Sequence, residues 1–173
     1  MTKNIDYLII GQGIAGSLLA HFLLKRGKSI VVVDEYSPHS SSRVAAGIFN
    51  PITGRRFVKT WKADEIFSFA ESTYREIEQE TGGSFYRPRT IIRSLSDKAE
   101  EREWERKSQM AEYAGFTGET ILEDGMKKVE ILRGGNVRLH RFLNLMREKL
   151  KQQHILHEST LDYTDLLISN DDS

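Results

Sequence analysis

The sequence predicts an α/β fold, a doubly wound Rossmann-like sheet interrupted by a β-rich insert. Three observations carry that prediction. A glycine-rich turn, Gly11-Gln12-Gly13-Ile14-Ala15-Gly16, joins an apolar strand to a helix. A continuous β-branched run, Ile30-Val31-Val32-Val33, follows and ends on Asp34, which suits a parallel strand covered on both faces. Two glycine pairs, Gly82-Gly83 and Gly134-Gly135, bracket a strand-rich stretch, and helical spacing resumes beyond the second pair.

The first strand is Tyr7-Leu8-Ile9-Ile10. The turn after it is a GxGxxG, and each glycine meets one need of a bound dinucleotide. Gly11 permits the tight turn, Gly13 lets the backbone approach a pyrophosphate with no Cβ in the way, and Gly16 lets the helix pack close on the strand. The helix N-terminus offers free N–H groups and partial positive charge to phosphates. Asp34 can accept hydrogen bonds from ribose hydroxyls. The fingerprint fits NAD and FAD equally well. The helix spans Ile14 to Arg26, with Ala15, Leu18, Leu19, Phe22 and Leu23 as an apolar stripe. Lys25 and Arg26 suit the last turn, and Gly27 stops the helix.

Tyr36 to Gly54 has no helical or alternating pattern and reads as an irregular loop, although Val44-Ala45-Ala46-Gly47-Ile48-Phe49 within it is small and apolar. Ala63 to Glu80 has helical period, with Ile66, Phe67, Ala70, Tyr74 and Ile77 on one side. Ser84 to Arg93 reads as a strand. Asp97 to Ala114 reads as a charged surface helix anchored by Trp104 and Met110. Thr120 to Leu132 holds one or two short strands around Gly125, and Gly134-Gly135 reads as a turn. Asn136 is the expected N-cap of a helix from Val137 to Lys151, whose buried stripe is Leu139, Phe142, Leu143, Met146 and Leu150. Ile155-Leu156 and Leu166-Leu167-Ile168 read as two last short strands. The expected division is a discontinuous dinucleotide-binding domain, 1–82 and 136–173, and an inserted part, 83–135. A doubly wound sheet usually needs more strands than these, so the chain reads as the N-terminal part of a longer protein.

Lys+Arg and Asp+Glu both number 25, which argues against a nucleic-acid partner. No apolar run reaches the length of a membrane span. Met1-Thr2-Lys3-Asn4 leads straight into a strand without a signal-peptide core, so a cytoplasmic location is expected. The absence of cysteine excludes disulfides, thiolate metal sites and a cysteine nucleophile.

Three segments together resemble the D-amino-acid oxidase and glycine oxidase family of FAD-dependent amine oxidoreductases: Asp6 to Gly16, Val31 to Glu35, and Ser41-Ser42-Arg43-Val44-Ala45-Ala46-Gly47-Ile48. Gly134-Gly135-Asn136-Val137, opening a helix, matches more weakly. The resemblance covers nearly all of this chain but only about the first half of a family member. It implies the FAD/NAD(P)-binding form of the fold, with the insert as part of a substrate domain, FAD as cofactor, and a small-molecule amine or amino acid as substrate. It also implies that Ile14 and Ala15 contact the pyrophosphate region through their backbone. Asp34 and Glu35 would lie at the adenosine ribose, Ser41 and Ser42 on the phosphates, and Ala46, Gly47 and Ile48 along the flavin ring. Leu161 would touch adenine. Relatives usually carry Glu at the ribose position. Asp34 fits the spacing better than Glu35, but the sequence leaves both acids open.

Other polar residues read more plainly. Arg43 is a phosphate or substrate contact or a loop charge. Arg55 and Arg56 read as loop charge, His21 as packing or surface, and His39 as a solvated histidine. Tyr86 and Arg87 read as sheet packing and surface charge, with a substrate-facing role as the alternative, and Trp61 and Trp104 as core or interface anchors rather than flavin-stacking groups. His140, His154 and His157 share no metal spacing. No catalytic residue is assigned and no metal is expected. The sequence therefore points to an FAD-dependent oxidoreductase of an amine or amino acid. The alternatives are an NAD(P)-binding dehydrogenase or reductase domain, and an inactive fragment whose exposed apolar surface favours homo-oligomers.

Overall fold

A computed structural model describes residues 4–162 and residue 164. In chain order the elements begin β1 (Tyr7–Ile10), α1 (Ile14–Lys25), β2 (Ile30–Val33), α2 (Ser41–Val44), β3 (Ile48–Phe49), β4 (Ile52–Thr53) and β5 (Val58–Lys59). They continue α3 (Ala63–Thr81), β6 (Tyr86–Ser94), α4 (Lys98–Ser108), a 3₁₀ turn (Ala111–Tyr113), β7 (Thr117–Glu123), β8 (Met126–Val137), α5 (Leu139–Gln152) and β9 (Leu156–His157). The expected strand Leu166–Ile168 lies outside the described residues.

The chain divides into two compact units, residues 1–45 with 139–173, and residues 46–138. The first unit carries a parallel sheet in the order β1-β2-β9. Its core is Ile9, Ala20, Leu23, Ile30, Val32 and Leu150, with Leu24, Ile155 and Leu156 packed against it. All five stripe residues of α5 are buried. The buried face of α1 differs from the apolar stripe: Ser17, Ala20, His21 and Leu23 are buried, while Ala15 and Leu19 are exposed. Close packing selects small residues here. A Cβ on Gly16 would lie 2.0 Å from the Gly11 carbonyl oxygen and 3.3 Å from Ile9 Cγ2, so the first turn of the helix meets the strand through Gly16, and Leu23 reaches the core further along.

The second unit is an antiparallel sheet in the order β3-β8-β6, with β7 also pairing β8, and a separate hairpin of β4 and β5. Its core joins Ile52, Phe57 and Ala63 to Leu95, Trp104, Tyr113, Phe116, Val129 and Ile131. The sequence reading put residues 46–82 with the dinucleotide-binding part. In the structure they sit in the second unit, because β3 pairs with β8 and because Ile52, Phe57 and Ala63 supply that core.

Three local expectations also change. Gly134 and Gly135 are not a turn but lie inside β8, with Gly135 opposite Phe49 on one side and Pro88 on the other. Asn136, paired with both Ile48 and Arg87, is strand and not a helix cap. The charged helix stops at Ser108 and is anchored by Trp104; beyond it Tyr113 and Phe116 join the same core, while Met110 is exposed. Within α4, Glu100 is buried: it accepts from the Ser96 backbone N–H and hydroxyl, each at 3.0 Å, and from Arg93 at 2.8 Å.

Candidate dinucleotide site

Parallel strands end together, and their carboxyl ends are where open α/β sheets take ligands. In the first unit, Ile10 and Gly11 end β1, Val33, Asp34 and Glu35 end β2, and Ser159, Thr160 and Leu161 follow β9. These residues line one cavity of about 280 Å³.

Asp34 organises the turn beside it. The Gly11 N–H donates to the Val33 carbonyl at 2.8 Å, and the Gln12 N–H donates to Asp34 Oδ1 at 2.8 Å. Asp34 Oδ2 accepts from the Tyr36 N–H at 3.0 Å and from Arg147 Nη1 at 2.6 Å. Burial pushes the Asp34 carboxyl upward, but the Gln12 N–H, Arg147 and the Tyr36 N–H outweigh it and hold the group below the usual carboxylate range. Glu35 is exposed, and its Oε2 accepts from the Thr160 hydroxyl at 2.9 Å.

The other side of the glycine turn faces α2. Ile14 N–H donates to Ser42 Oγ at 3.2 Å, and a Cβ on Gly13 would come within 3.2 Å of that same oxygen. Gly13 stands at the N-cap of α1 with no side-chain cap, so the helix end keeps N–H groups to offer. Arg43, 9% exposed, donates from Nη1 to Asn144 Oδ1 at 2.6 Å, and its guanidinium lies 4.5 Å from the Tyr36 ring centroid. Its Nη2 is buried without a hydrogen-bond partner among the described residues. An unpaired guanidinium nitrogen, buried near the serine-bearing α2 and an uncapped helix end, completes a donor set suited to an anion.

Helix α5 ties these pieces together. The Leu143 carbonyl accepts from Gln12 Nε2 at 3.0 Å, Asn144 holds Arg43, and Arg147 holds Asp34 and also donates to Gln12 Oε1 at 3.2 Å. Sequence reasoning missed Gln12, Arg147, Ser159 and Thr160. For Arg147 a signal existed. It falls in line with Leu143 and Leu150 on the apolar stripe of α5, where an arginine needs a buried anionic partner.

Of the residues expected at a nucleotide, Gly11, Asp34, Glu35 and Leu161 meet on the one cavity. Gly13, Ile14 and Ser42 are neighbours. Gly16 packs on the turn, Ala15 is exposed on α1, and Ser41 is exposed at the start of α2. Ala46, Gly47 and Ile48 belong to the second unit. There the Gly47 carbonyl accepts from the Val137 N–H at 2.9 Å, and Ile48 is 70% exposed. Ala46 and Ile48 share a depression of about 480 Å³ with Asn50, Arg89, Thr90, Ile91, Gly135 and Asn136. Arg55 pairs with Asp97 and Glu100, and Tyr86 stacks on Phe49 at 5.4 Å, so both have structural partners.

The family model described as FAD dependent oxidoreductase matches residues 6–154, from the strand before the glycine turn through α5. The chain belongs to this FAD-dependent oxidoreductase family. Solved structures share the fold. Glycine oxidase from Bacillus cereus ATCC 14579 matches with a TM-score of 0.73 at 18% identity, over 96% of this chain and 50% of that one. Glycine oxidase from Geobacillus kaustophilus matches with a TM-score of 0.72 at 16% identity, over 91% of this chain and 47% of that one. L-proline dehydrogenase from P. horikoshii matches with a TM-score of 0.66 at 19% identity, over 91% and 45%. The chain thus spans about half the length of these structures. No helix among the described residues is long and apolar enough to cross a membrane.

For a member of this FAD-dependent family, the first unit fits the adenosine diphosphate half of the cofactor. The cavity has nearly the volume of a small ligand site, the two acids suit ribose hydroxyls, and the orphaned Arg43 donor suits a phosphate oxygen.

Proposed function

We propose that this chain is the FAD-holding part of an oxidoreductase that takes a hydride from a small-molecule amine or amino acid. The observation that carries the reading is the cavity joining Gly11, Asp34, Glu35 and Leu161 at the strand ends beside the glycine turn. Family membership supports FAD as the cofactor, and the names of the related structures, glycine oxidase and L-proline dehydrogenase, support an amine or amino acid as substrate.

In this reading Asp34 and Glu35 hold the ribose, and Leu161 lies against adenine. The backbone of Gly11 to Ala15, with Ser41, Ser42 and Arg43, receives the pyrophosphate. Ala46, Gly47 and Ile48 are small or apolar enough for a flat ring to lie close, and we assign them to the flavin. FAD, when bound, supplies the two-electron acceptor for a hydride from the carbon bearing the amine nitrogen. The protein's own part is to bind, orient and exclude water, which accounts for a site without a conspicuous acid–base pair.

The test is the visible absorption spectrum of the purified chain, titrated separately with FAD and NAD. Flavin bands that shift from those of free FAD and saturate at one equivalent, with no response to NAD, are the expected result. Amines and amino acids are then screened for bleaching of the bound flavin under anaerobic conditions. A chain that ignores FAD at concentrations of about 100 times a micromolar Kd overturns the cofactor assignment.

A further inference from the structure

Arg147 is 3% exposed, and its guanidinium is surrounded by acceptors and an aromatic face. Nη1 donates to Asp34 Oδ2 at 2.6 Å and to Gln12 Oε1 at 3.2 Å. Nη2 donates to Glu158 Oε1 at 2.7 Å, and Nε reaches the same oxygen at 3.2 Å. The group also lies 4.9 Å from the centroid of Tyr36, the ring that Arg43 covers at 4.5 Å. Lys151 pairs with the other oxygen of Glu158 at 2.9 Å. The cation is therefore buried between one carboxylate inside the nucleotide site and one at its margin, on a helix contributed from far along the chain.

We propose that Arg147 is the positioning residue of the nucleotide site: it fixes the Asp34 carboxylate against the glycine turn, so that one oxygen edge faces the cavity for a ribose hydroxyl. This rests on the FAD reading and adds to it the residue that sets the ribose acceptor. Without Arg147, Asp34 keeps two backbone donors but loses its only charged partner among the described residues, and the carboxylate is free to rotate away. Gln12 loses an anchor in the same step, because its side chain spans Arg147 and the Leu143 carbonyl. A guanidinium does this better than an ammonium. Its planar fork serves Asp34, Gln12 and Glu158 at once, whereas a lysine is a point charge that can serve fewer of them.

The experiment uses the whole chain in four forms: unmodified, Arg147→Gln, Arg147→Lys and, as a control on the same helix, Arg141→Gln at an exposed position outside this network. The Asp34 carboxyl is titrated by NMR without ligand, and FAD affinity is measured by quenching of flavin fluorescence. In Arg147→Gln the Asp34 midpoint should rise and FAD should bind about tenfold more weakly, the loss of one charge-assisted hydrogen bond. Arg147→Lys should restore most of the Asp34 midpoint but only part of the affinity, and Arg141→Gln should change neither. In an Asp34→Asn background, Arg147→Gln should cost little further affinity, since the group it positions is gone. An unmoved Asp34 midpoint overturns the proposal, as does an equal affinity loss with and without Asp34. If the unmodified chain binds no FAD, the cofactor reading falls and the nucleotide consequence falls with it, while the Asp34 titration still decides whether Arg147 holds that carboxylate.

Discussion

A carboxylate offers about four acceptor positions, and Asp34 already gives three of them to Gln12, Tyr36 and Arg147. One position remains for a ribose, which has two hydroxyls. Glu35 lines the same cavity with Oε2 engaged by Thr160. The expected outcome is that the two acids share the ribose. Asp34→Asn should weaken FAD binding about tenfold and Glu35→Gln by a smaller factor, as befits an exposed partner. A full loss from one variant and none from the other would return the ribose to a single acid. Asp34 also carries a pH signature. Its folded pKa is depressed, so its contribution to stability is complete above the unfolded value of about 3.9 and is lost as pH falls through the lower folded value. Urea midpoints of the unmodified chain and Asp34→Asn should therefore converge as the pH falls below about 4, with the unmodified chain ahead at neutral pH.

Sequence periodicity finds elements better than it finds their partners. The glycine turn, β2 and the stripe of α5 were legible because each rests on residues within one or two turns of chain. Gly134 and Gly135 were misread because a glycine pair marks a turn when only neighbours are considered. In the structure it marks the crossing of β8 between β3 and β6. The two positions differ in what they face. A Cβ on Gly134 would lie 2.5 Å from Ile91 Cδ1 and 2.8 Å from its Cγ1, both side-chain atoms, whereas a Cβ on Gly135 would lie 2.2 Å from the Arg87 carbonyl oxygen. Gly134→Ala should cost about 1 kcal/mol, since Ile91 can change rotamer. Gly135→Ala should cost about 3 kcal/mol or more, because backbone must move. Thermal or urea unfolding of the two variants checks the order, and equal costs would contradict this account of the strand.

At the scale of the molecule, the parallel-sheet unit was legible from the glycine turn and the β-branched strand after it, but its border was not. Residues 46–82 join the second unit through pairing of β3 with β8 and through the burial of Ile52, Phe57 and Ala63, contacts that no local pattern announces. The partner of Arg147 was hidden for the same reason, since Asp34 lies far from it in sequence. The continuous apolar character of β1 carries a further consequence. Among the described residues β1 pairs only with β2, so its other edge has no strand partner, and Tyr7, Leu8 and Ile10 are 46%, 39% and 44% exposed. Strands of this composition are normally covered on both faces, and an open apolar edge is a template for pairing. The chain should therefore self-associate at concentrations of tens of micromolar, and Leu8→Lys should return it toward monomer without touching the cavity residues, because a charge on an edge strand opposes strand addition. Light scattering behind size exclusion reads both states. A chain that stays monomeric across that range, with or without the lysine, would overturn this reading of the edge.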